Sequence, residues 1–394
     1  MSNSKIIRVL HSFPHRLGMD RICTTAWYEI DMAAAAGADM LAVAGDSVRP
    51  FEHKVKVKTT LSRGKLRIPY RLLGRLRACE LHDRLVARML PKLADEIDII
   101  HAWPLGALHT IKAAKRLGIP VALERCNAHT RFAYEVVQRE CKRLGVPLPK
   151  DHEHAYNESI LKREEQEYEL ADAILCPSDF VVKTFLDKGF PKDKLFRFFY
   201  GVDDKVFYPG FERKTINGRP LTMIFVGVCA VRKGLHFALE AWHRSPASRD
   251  GTFYIVGDFL PAYREKLSGL LDHPSVRVLG HRNDVPELMR KSDIFVLPSI
   301  EEGFGLVCTE AMACGCVPLV SDACTDLCRH MENAMVHEVG DVGALSEHIT
   351  RLYEDRDLLS NLREAGIQNI SKINWDAAGR SLVTAYRGIL ECAY

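Results

Sequence analysis

Short apolar runs alternate with longer stretches of helical spacing along the whole chain. In the first half, the apolar runs predict strands at residues 6–11, 40–44, 97–102, 120–124 and 171–177. In the second half, they predict strands at residues 223–227, 252–257, 276–280, 293–298 and 317–321. Strands that alternate with helices are typical of parallel sheets covered by helices on both faces. Two such series in succession predict an α/β protein of two doubly wound, Rossmann-like domains.

The first series gives way to the second at residues 200–209, where turn residues precede a polar stretch without apolar periodicity. We therefore expect an N-terminal domain at residues 1–200 and a C-terminal domain at residues 201–374. Helical spacing resumes at Trp375, so residues 375–394 are expected to form a helix that crosses back to the first domain. Ligands of open parallel sheets bind beyond the carboxyl ends of the strands, which predicts a binding cleft between the domains.

Length and composition agree with this organisation. A chain of 394 residues is long for a single core, and its apolar runs are too short to cross a bilayer. The N-terminus has strand character and lacks the basic-then-apolar order of a signal peptide, so we expect a cytoplasmic protein. Five of the 12 cysteines lie between Cys308 and Cys328 without the spacing of a metal site, which favours buried free thiols.

One segment of the second series carries both acids and glycines. The predicted strand that ends at Pro298 is followed by Glu302, Gly303 and Gly305, and then by a helical pattern that includes Glu310. Glycines let the backbone approach a ligand closely, and the free amides of a helix start suit an anion. An ordinary helix start, where the dipole favours acidic residues, would explain either acid alone but not the whole segment.

A second candidate segment follows the first strand of the second series. Gly227 ends that strand, and Arg232 and Lys233 stand before the next helical pattern. Adjacent cations are suited to neutralise the charge that builds on a departing diphosphate. Taken alone, the pair is more typical of solvated side chains near a helix end.

The basic pair, followed 70 residues later by the E-x7-E pattern of Glu302 and Glu310, resembles glycosyltransferase family 4. The resemblance covers nearly the whole chain, and residues 293–315 are its most specific part. Other family-like pieces are residues 174–180, 200–203, 207–209, 255–258, 278–280 and 374–375. The resemblance implies the GT-B fold, in which two Rossmann-like domains face a cleft.

The resemblance also implies roles for individual residues. Arg232 and Lys233 correspond to the cations on the donor diphosphate, Glu302 to the acid beside the donor sugar, and Glu310 to the acid that holds the donor ribose. Arg232, Lys233 and Glu302 are therefore the expected catalytic residues. The expected donor-binding residues are Gly18, Gly227, Arg232, Lys233, Gly303, Phe304, Gly305, Leu306 and Glu310.

Two assignments in the first domain depart from the family or have equal alternatives. Family members usually carry two neighbouring glycines after the first strand, and this chain keeps one of them, Gly18. His129 is a candidate on the acceptor side, although a core or surface position would explain it equally well.

The implied activity is that of a retaining hexosyltransferase. It would move a sugar from a nucleotide diphosphate donor to a glycan or lipid-linked acceptor, in the synthesis of a cell-surface polysaccharide or glycolipid. Because the two cations would neutralise the leaving diphosphate, neither a metal ion nor a cofactor is expected. A nucleotide-sugar epimerase, a phosphorylase and a non-catalytic binding protein are the alternatives. A phosphorylase would need a lysine in a pyridoxal-binding context, which the sequence does not offer.

The stretch from Lys54 to Arg77, here called the basic segment, carries nine Lys or Arg and no Asp or Glu. After Pro69 its leucines and arginines have helical spacing, which is typical of a helix on an anionic membrane surface. A peripheral position on the inner face of the cytoplasmic membrane is one interpretation, and a solvated loop and helix face is the other. A nucleic-acid partner is not expected, because aromatic interleaving and groove-reading motifs are missing.

Overall fold

The computed structural model describes residues 6–64, 66–68, 73–210 and 219–393. Its strands are β1 (Arg8–Leu17), β2 (Asp39–Ser47), β3 (Val55–Thr59), β4 (Ser62–Arg63), β5 (Leu66–Arg67), β6 (Ile99–Ala102), β7 (Val121–Glu124), β8 (Ala173–Cys176), β9 (Leu195–Arg197), β10 (Thr222–Val226), β11 (Thr252–Val256), β12 (Val276–Gly280), β13 (Ile294–Leu297), β14 (Val317–Ser321) and β15 (Met335–His337). Its α-helices are α1 (Ile22–Ala35), α2 (Arg75–Met89), α3 (Leu108–Leu117), α4 (Thr130–Leu144), α5 (Glu158–Leu170), α6 (Asp179–Leu186), α7 (Leu235–Arg244), α8 (Pro261–Lys266), α9 (Ser268–Leu271), α10 (Val285–Lys291), α11 (Leu306–Ala313), α12 (Val342–Glu354), α13 (Arg356–Ile370) and α14 (Trp375–Ala393).

The chain divides into two compact units. The first unit takes in the described residues up to Cys126, Asn157–Gly201 and the segment from Trp375 onward, and the second takes in Asn127–Tyr156 and the described part of Val202–Asn374. The division near Gly201 falls inside the stretch 200–209.

The first unit is built on a parallel sheet with the strand order β3-β2-β1-β6-β7-β8-β9. Strand β1 lies inside this sheet. Strands β2 and β3 extend the sheet from β1 to one edge, and β6 to β9 extend it on the other side of β1. The order therefore reverses between β1 and β6, as in a doubly wound α/β fold. A short antiparallel hairpin of β4 and β5 lies outside the sheet.

The second unit repeats this plan with the order β12-β11-β10-β13-β14-β15, again all parallel. Its reversal point lies between β10 and β13. The predicted fold class, two doubly wound parallel-sheet domains, is confirmed. The four residues of β13 are all buried, which explains why this strand appears in the sequence as a continuous apolar run.

Residues 127–156, which the sequence pattern assigned to the first domain, pack with the second unit. Helix α4, which lies within residues 127–156, places Val137, Cys141 and Leu144 in the hydrophobic core of the second unit. These residues recur at a spacing of three or four, so they share one face of the helix. The amphipathic pattern predicts that face but does not indicate which core it covers.

The last helix, α14, lies in the first unit and packs on α1. Trp375 stacks on Tyr28 with ring centroids 4.6 Å apart. A Cβ on Gly379 would come within 2.3 Å of the backbone oxygen of Met32, so the glycine lets the two helices approach closely. Further along α14, the Tyr386 hydroxyl lies 2.7 Å from Nδ1 of His101 in the buried sheet.

In the described part of the chain, the helices are too short or too polar to cross a membrane. The 12 cysteines are free thiols, and the five between Cys308 and Cys328 are all buried, as expected from the sequence.

Candidate active site

The candidate site lies in the second unit, where the carboxyl ends of β10 and β13 meet at the reversal point of the sheet. This is the place at which doubly wound sheets bind ligands. β10 leads into Gly227 and then a turn of 3-10 helix, Val231–Lys233. β13 leads into the loop that carries Glu302, and the loop ends where α11 begins.

The strand ends on one side of the site approach so closely that they exclude side chains. Gly227 has φ +150° and Gly257, after β11, has φ +140°. A Cβ on Gly257 would lie 1.8 Å from the carbonyl oxygen of Gly227. Position 257 therefore has no room for a side chain, and both positions have φ values that favour glycine.

A backbone hydrogen bond joins the basic turn to the acidic loop. The amide of Ile300 donates to the carbonyl of Arg232 over 2.9 Å. Gly234, which ends the turn with φ +67°, packs against the carbonyl of Pro298. The two segments thus have a fixed relative position before any side chain is considered.

The predicted catalytic residues come together in this setting. The Lys233 ammonium forms an ion pair with Oε2 of Glu302. Nη1 of Arg232 lies 3.5 Å from Oε1 of the same carboxylate, and it donates to the backbone oxygen of Glu301 over 2.9 Å. All three predicted side chains are mostly buried, with 13%, 13% and 9% of the Arg232, Lys233 and Glu302 side chains exposed.

The charges in this cluster stabilise one another. Burial acts to raise the pKa of Glu302, but Lys233 and Arg232 outweigh it and hold the pKa below its ordinary value. Burial acts to lower the pKa of Arg232, but Glu302 and Glu301 outweigh it and raise the pKa above its ordinary value. Near neutral pH, the guanidinium and the Glu302 carboxylate are therefore both charged.

Glu310 lies on α11, eight residues after Glu302, in a different electrostatic setting. Burial raises the pKa of Glu310 to about 7. The two acids of the E-x7-E pattern therefore differ in charge state near pH 7, since Glu302 is ionised and Glu310 is partly protonated. Environments that separate the pKa values of two carboxyls in this way are common in active sites.

The start of α11 supplies backbone donors near these acids. Gly305 occupies the N-cap position with φ +67°, and no side chain of the described residues caps the helix. The amide of Leu306, the first helical residue, is thus among the groups that an anion at a helix start can use. Gly303 and Phe304 are buried in the loop before it.

The two remaining predicted residues have separate positions. Gly18 lies in the first unit after β1, with φ +79°, and a Cβ there would lie 2.5 Å from Cβ of Arg49. His129 belongs to the second unit and is buried at the N-cap of α4, where its Nδ1 accepts from the amide of Arg131 over 3.2 Å. The donor-side role of Gly18 and the acceptor-side role of His129 stay predictions.

Sequence reasoning missed three groups that contact the site. Glu301 is fully buried beside Glu302, the amide of Ala128 donates to it over 3.2 Å, and His154 Nε2 lies 3.3 Å from its other oxygen. Glu301 has the same residue type as its neighbour, and the other two lie more than 140 residues earlier in the chain. No local pattern brings them together.

The first unit contains a cluster of metal-ligand type, formed by His11, Glu29 and His101, whose ligand atoms lie within 4.8 Å of one another. Both ring nitrogens of His101 already have partners, since Nδ1 lies 2.7 Å from Tyr386 and Nε2 lies 3.0 Å from Glu124. We therefore assign this cluster a structural part in the docking of α14.

Two doubly wound sheets, one of them with a cation pair against an E-x7-E loop at its reversal point, define the GT-B class of glycosyltransferase architecture. Comparison with protein families agrees. Residues 26–206 match the family described as Glycosyltransferase Family 4, and residues 220–355 match Glycosyl transferases group 1. The chain belongs to the family 4 glycosyltransferases.

Comparison with individual proteins gives the same class. The chain is 32% identical over 123 residues to an N,N'-diacetylbacillosaminyl-diphospho-undecaprenol α-1,3-N-acetylgalactosaminyltransferase of Campylobacter jejuni. This match covers 31% of the chain and spans only about a third, 33%, of that relative's length.

Solved structures resemble the chain over nearly its full length. The sucrose-phosphate synthase of Thermosynechococcus elongatus has a TM-score of 0.69 with 19% identity, covering 98% of this chain and 100% of that one. Anabaena HepE in complex with UDP-glucose has a TM-score of 0.65 with 17% identity, covering 98% and 99%. At these identities the likeness shows the fold.

Proposed function

We propose that this protein is a retaining glycosyltransferase that moves a hexose from a nucleotide diphosphate sugar to a glycan or lipid-linked acceptor. The observation that carries the proposal is the convergence of Arg232 and Lys233 on Glu302 at the reversal point of the second sheet. The loop that carries Glu302 leads into the start of α11, so a diphosphate bound there would meet the two cations and the free amides of a helix N-terminus.

In this proposal Arg232 and Lys233 stabilise the transition state. When the bond from the sugar to the diphosphate breaks, negative charge grows on the leaving oxygen and positive charge grows on the sugar. The two cations already pair with Glu302, and a backbone hydrogen bond between Ile300 and Arg232 holds the turn that carries them, so they need little reorganisation as the charge develops. Removal of one such donor costs roughly 2–4 kcal/mol in comparable sites.

Glu302 has two parts in the proposed reaction. As a carboxylate it pairs with both cations and keeps them in position. In the proposal it also lies beside the donor sugar. The acceptor hydroxyl would attack the face that the diphosphate leaves, which keeps the anomeric configuration. The proposal assigns Glu310 to the donor ribose, and it includes no metal ion and no cofactor, since the protein's own cations neutralise the diphosphate.

The donor and acceptor classes are supported by relatives. The Campylobacter jejuni relative is named for a diphospho-undecaprenol acceptor, and the HepE structure contains UDP-glucose. We therefore propose a nucleotide diphosphate sugar as donor and an acceptor carried on a lipid or glycan, in the synthesis of cell-surface polysaccharide or glycolipid.

A thermal-shift screen against nucleoside diphosphates and nucleotide sugars would identify the donor, because a ligand that binds only the native state raises its stability. Transfer from the preferred donor to a lipid-diphosphate or glycan acceptor would then be followed by release of the nucleoside diphosphate. Proton NMR of the product would report the anomeric configuration. Isomerised donor without transfer would favour an epimerase, donor binding without turnover would favour a binding protein, and an inverted product would contradict retention.

We also propose that the basic segment binds the anionic inner face of a membrane. Lys65 and residues 69–72 of this segment lie outside the described residues. In the described part, β3 places Lys54, Lys56 and Lys58 in and beside an edge strand of the first sheet. Lys56 pairs with Asp39 over 3.3 Å, and Arg67 with Asp46 over 3.5 Å, so part of the charge is already compensated within the unit.

Sedimentation with vesicles tests this second proposal. Binding to vesicles with anionic lipid should exceed binding to neutral vesicles and should fall with salt, since each exposed cation near anionic lipid contributes about 1 kcal/mol. Replacement of Lys54 and Lys58 by Gln should weaken the binding, whereas Lys266→Gln in the second unit serves as the control. Equal binding to both vesicle types would contradict the proposal.

A further inference from the structure

The segment Asn127–Tyr156, here called the strap, contacts the candidate active site at both of its ends. Near its start, the amide of Ala128 donates to Oε1 of Glu301 over 3.2 Å. Near its end, Nε2 of His154 lies 3.3 Å from Oε2 of the same carboxylate. The strap therefore contacts both oxygens of this buried carboxylate, one through a backbone hydrogen bond and the other through the imidazole of His154.

The strap is anchored between these two contacts. Oε1 of Glu140, on α4, lies 2.8 Å from Nε2 of His236, which follows Lys233 by three residues. Nδ1 of His236 lies 2.7 Å from the hydroxyl of Tyr263. The α4 face described above packs in the core of the unit. The strap is thus part of the second unit and has a defined register on it.

Glu301 in turn contacts Arg232. Its backbone oxygen accepts from Nη1 of Arg232 over 2.9 Å, and its Oε2 lies 3.6 Å from the same nitrogen. Oε1 of Glu302 lies 3.5 Å from the same nitrogen. The position of Arg232 therefore depends on neighbouring carboxylates, among them Glu301, which the strap contacts.

Burial of two adjacent carboxylates lowers the stability of the fold, which favours a functional role for Glu301. Glu301 and Glu302 are adjacent acids, and both are buried at 0% and 7% exposure. Buried like charges repel and lose hydration, and either effect would favour a neutral residue at position 301 if stability alone mattered. The carboxylate of Glu301 instead serves to orient its partner Arg232, whose Nη1 it contacts.

We propose that Glu301 and His154 are positioning residues, through which the strap sets the orientation of Arg232 for diphosphate departure. This inference rests on the proposed transferase function. Without the negative charge of Glu301, Arg232 moves toward Glu302 and meets the leaving group from a less favourable direction. Ground-state donor binding, which Lys233 and the backbone donors share, changes less than the rate of bond breakage.

The test compares turnover in four variants. In Glu301→Gln, kcat should fall about tenfold or more while the donor KM changes about threefold or less, since misplacement of a stabilising group acts mainly on the transition state. His154→Leu should show the same pattern. His154→Gln should recover most of the kcat, because its amide nitrogen can approach Oε2 of Glu301 at the place where Nε2 lies. Asp151→Asn, on an exposed part of the same loop, is the matched control and should match wild type.

The outcomes separate the two claims. Wild-type turnover together with unchanged kcat in folded Glu301→Gln and His154→Leu would overturn the positioning inference alone. Equal losses in His154→Gln and His154→Leu, with equally lowered melting temperatures, would indicate a merely structural role and would also overturn it. Absence of turnover in wild type with every nucleotide sugar would overturn the proposed function and this inference with it.

Discussion

A Cβ at Gly234 would lie 1.9 Å from the carbonyl oxygen of Pro298, well inside contact distance. The glycine also has φ +67°, a conformation that costs an L-residue about 1–2 kcal/mol. The end of the basic turn can therefore rest directly on the end of β13 only because position 234 has no side chain. This contact fixes how far the cations stand from the acidic loop.

Gly234→Ala should therefore lower both stability and turnover. The added methyl group pushes the basic turn away from β13, so we expect a melting temperature several degrees lower, at about 2–4 °C per kcal/mol, and a loss of most transferase activity. Thermal unfolding and donor turnover would be measured together. Gly269→Ala, at a helical position with open space around it, is the control and should be neutral or slightly stabilising. Equal behaviour of the two variants would contradict the packing argument.

Lys233→Ala should lower kcat by about 100- to 1,000-fold, as expected for loss of one preorganised donor to a developing oxyanion. The side chain is at the edge of the core, with 13% exposed, so the fold should remain intact in circular dichroism. Lys266→Ala, at an exposed helix end, controls for loss of a positive charge. Wild-type turnover in Lys233→Ala would remove this residue from the mechanism.

Donor affinity should depend on pH through Glu310. Burial raises the pKa of this carboxyl to about 7, and the ionised form is the better acceptor for ribose hydroxyls. Protons then compete with the donor, so affinity should fall as pH drops through 7, approaching tenfold per pH unit well below it. Calorimetry with an intact nucleotide sugar is the measurement, because a free nucleoside diphosphate titrates in the same range.

Glu310→Gln supplies the control for that titration, since its amide does not ionise. Its donor affinity should be weaker at pH 8 and nearly constant between pH 5 and 8. Glu302 adds little in this window because its pKa is held below the ordinary value. An unchanged pH profile in Glu310→Gln would assign the dependence to another group.

Tyr386→Phe should destabilise the first unit. The change removes the hydroxyl that lies 2.7 Å from Nδ1 of buried His101, and a buried group left without its partner costs about 1–3 kcal/mol. Chemical denaturation should show a lower midpoint with an unchanged slope. Tyr208→Phe, on a ring that is 41% exposed, should have little effect. Equal midpoints in the two variants would show that the hydroxyl contributes nothing to the docking of α14.

The fold could be predicted because parallel strands buried on both faces leave a strong apolar signal. Residues 317–321, all buried in β14, were predicted with the bounds that the structure shows. Residues 276–280 were predicted with the same accuracy, although β12 is a partly buried edge strand. The other three sheet edges, β3, β9 and β15, were missed. β3 has alternating Lys and Val, which is a strand pattern, but its charge dominated our interpretation of the basic segment. Edge strands face solvent on more sides than central ones, so they carry fewer apolar residues to mark them.

The candidate site was predictable in part for a related reason. Arg232, Lys233 and Glu302 stand at the ends of strands, and topology alone brings such positions together. Glu301 and His154 meet through the strap, whose packing is decided by side chains distant in sequence. A helix pattern in α4 indicates that one face is buried, but the choice between two cores depends on shape and contact, which a single sequence does not display.

The position of α14 affects the order in which a newly made chain can complete its two units. The surface of α1 that receives Trp375 and Gly379 is synthesised early, and its cover arrives only after the whole second unit has left the ribosome. At about 5–20 residues per second, that interval lasts roughly tens of seconds. The first unit is therefore completed after the second. Until α14 packs on α1, the surface around Tyr28 stays exposed and can bind chaperones or other nascent chains.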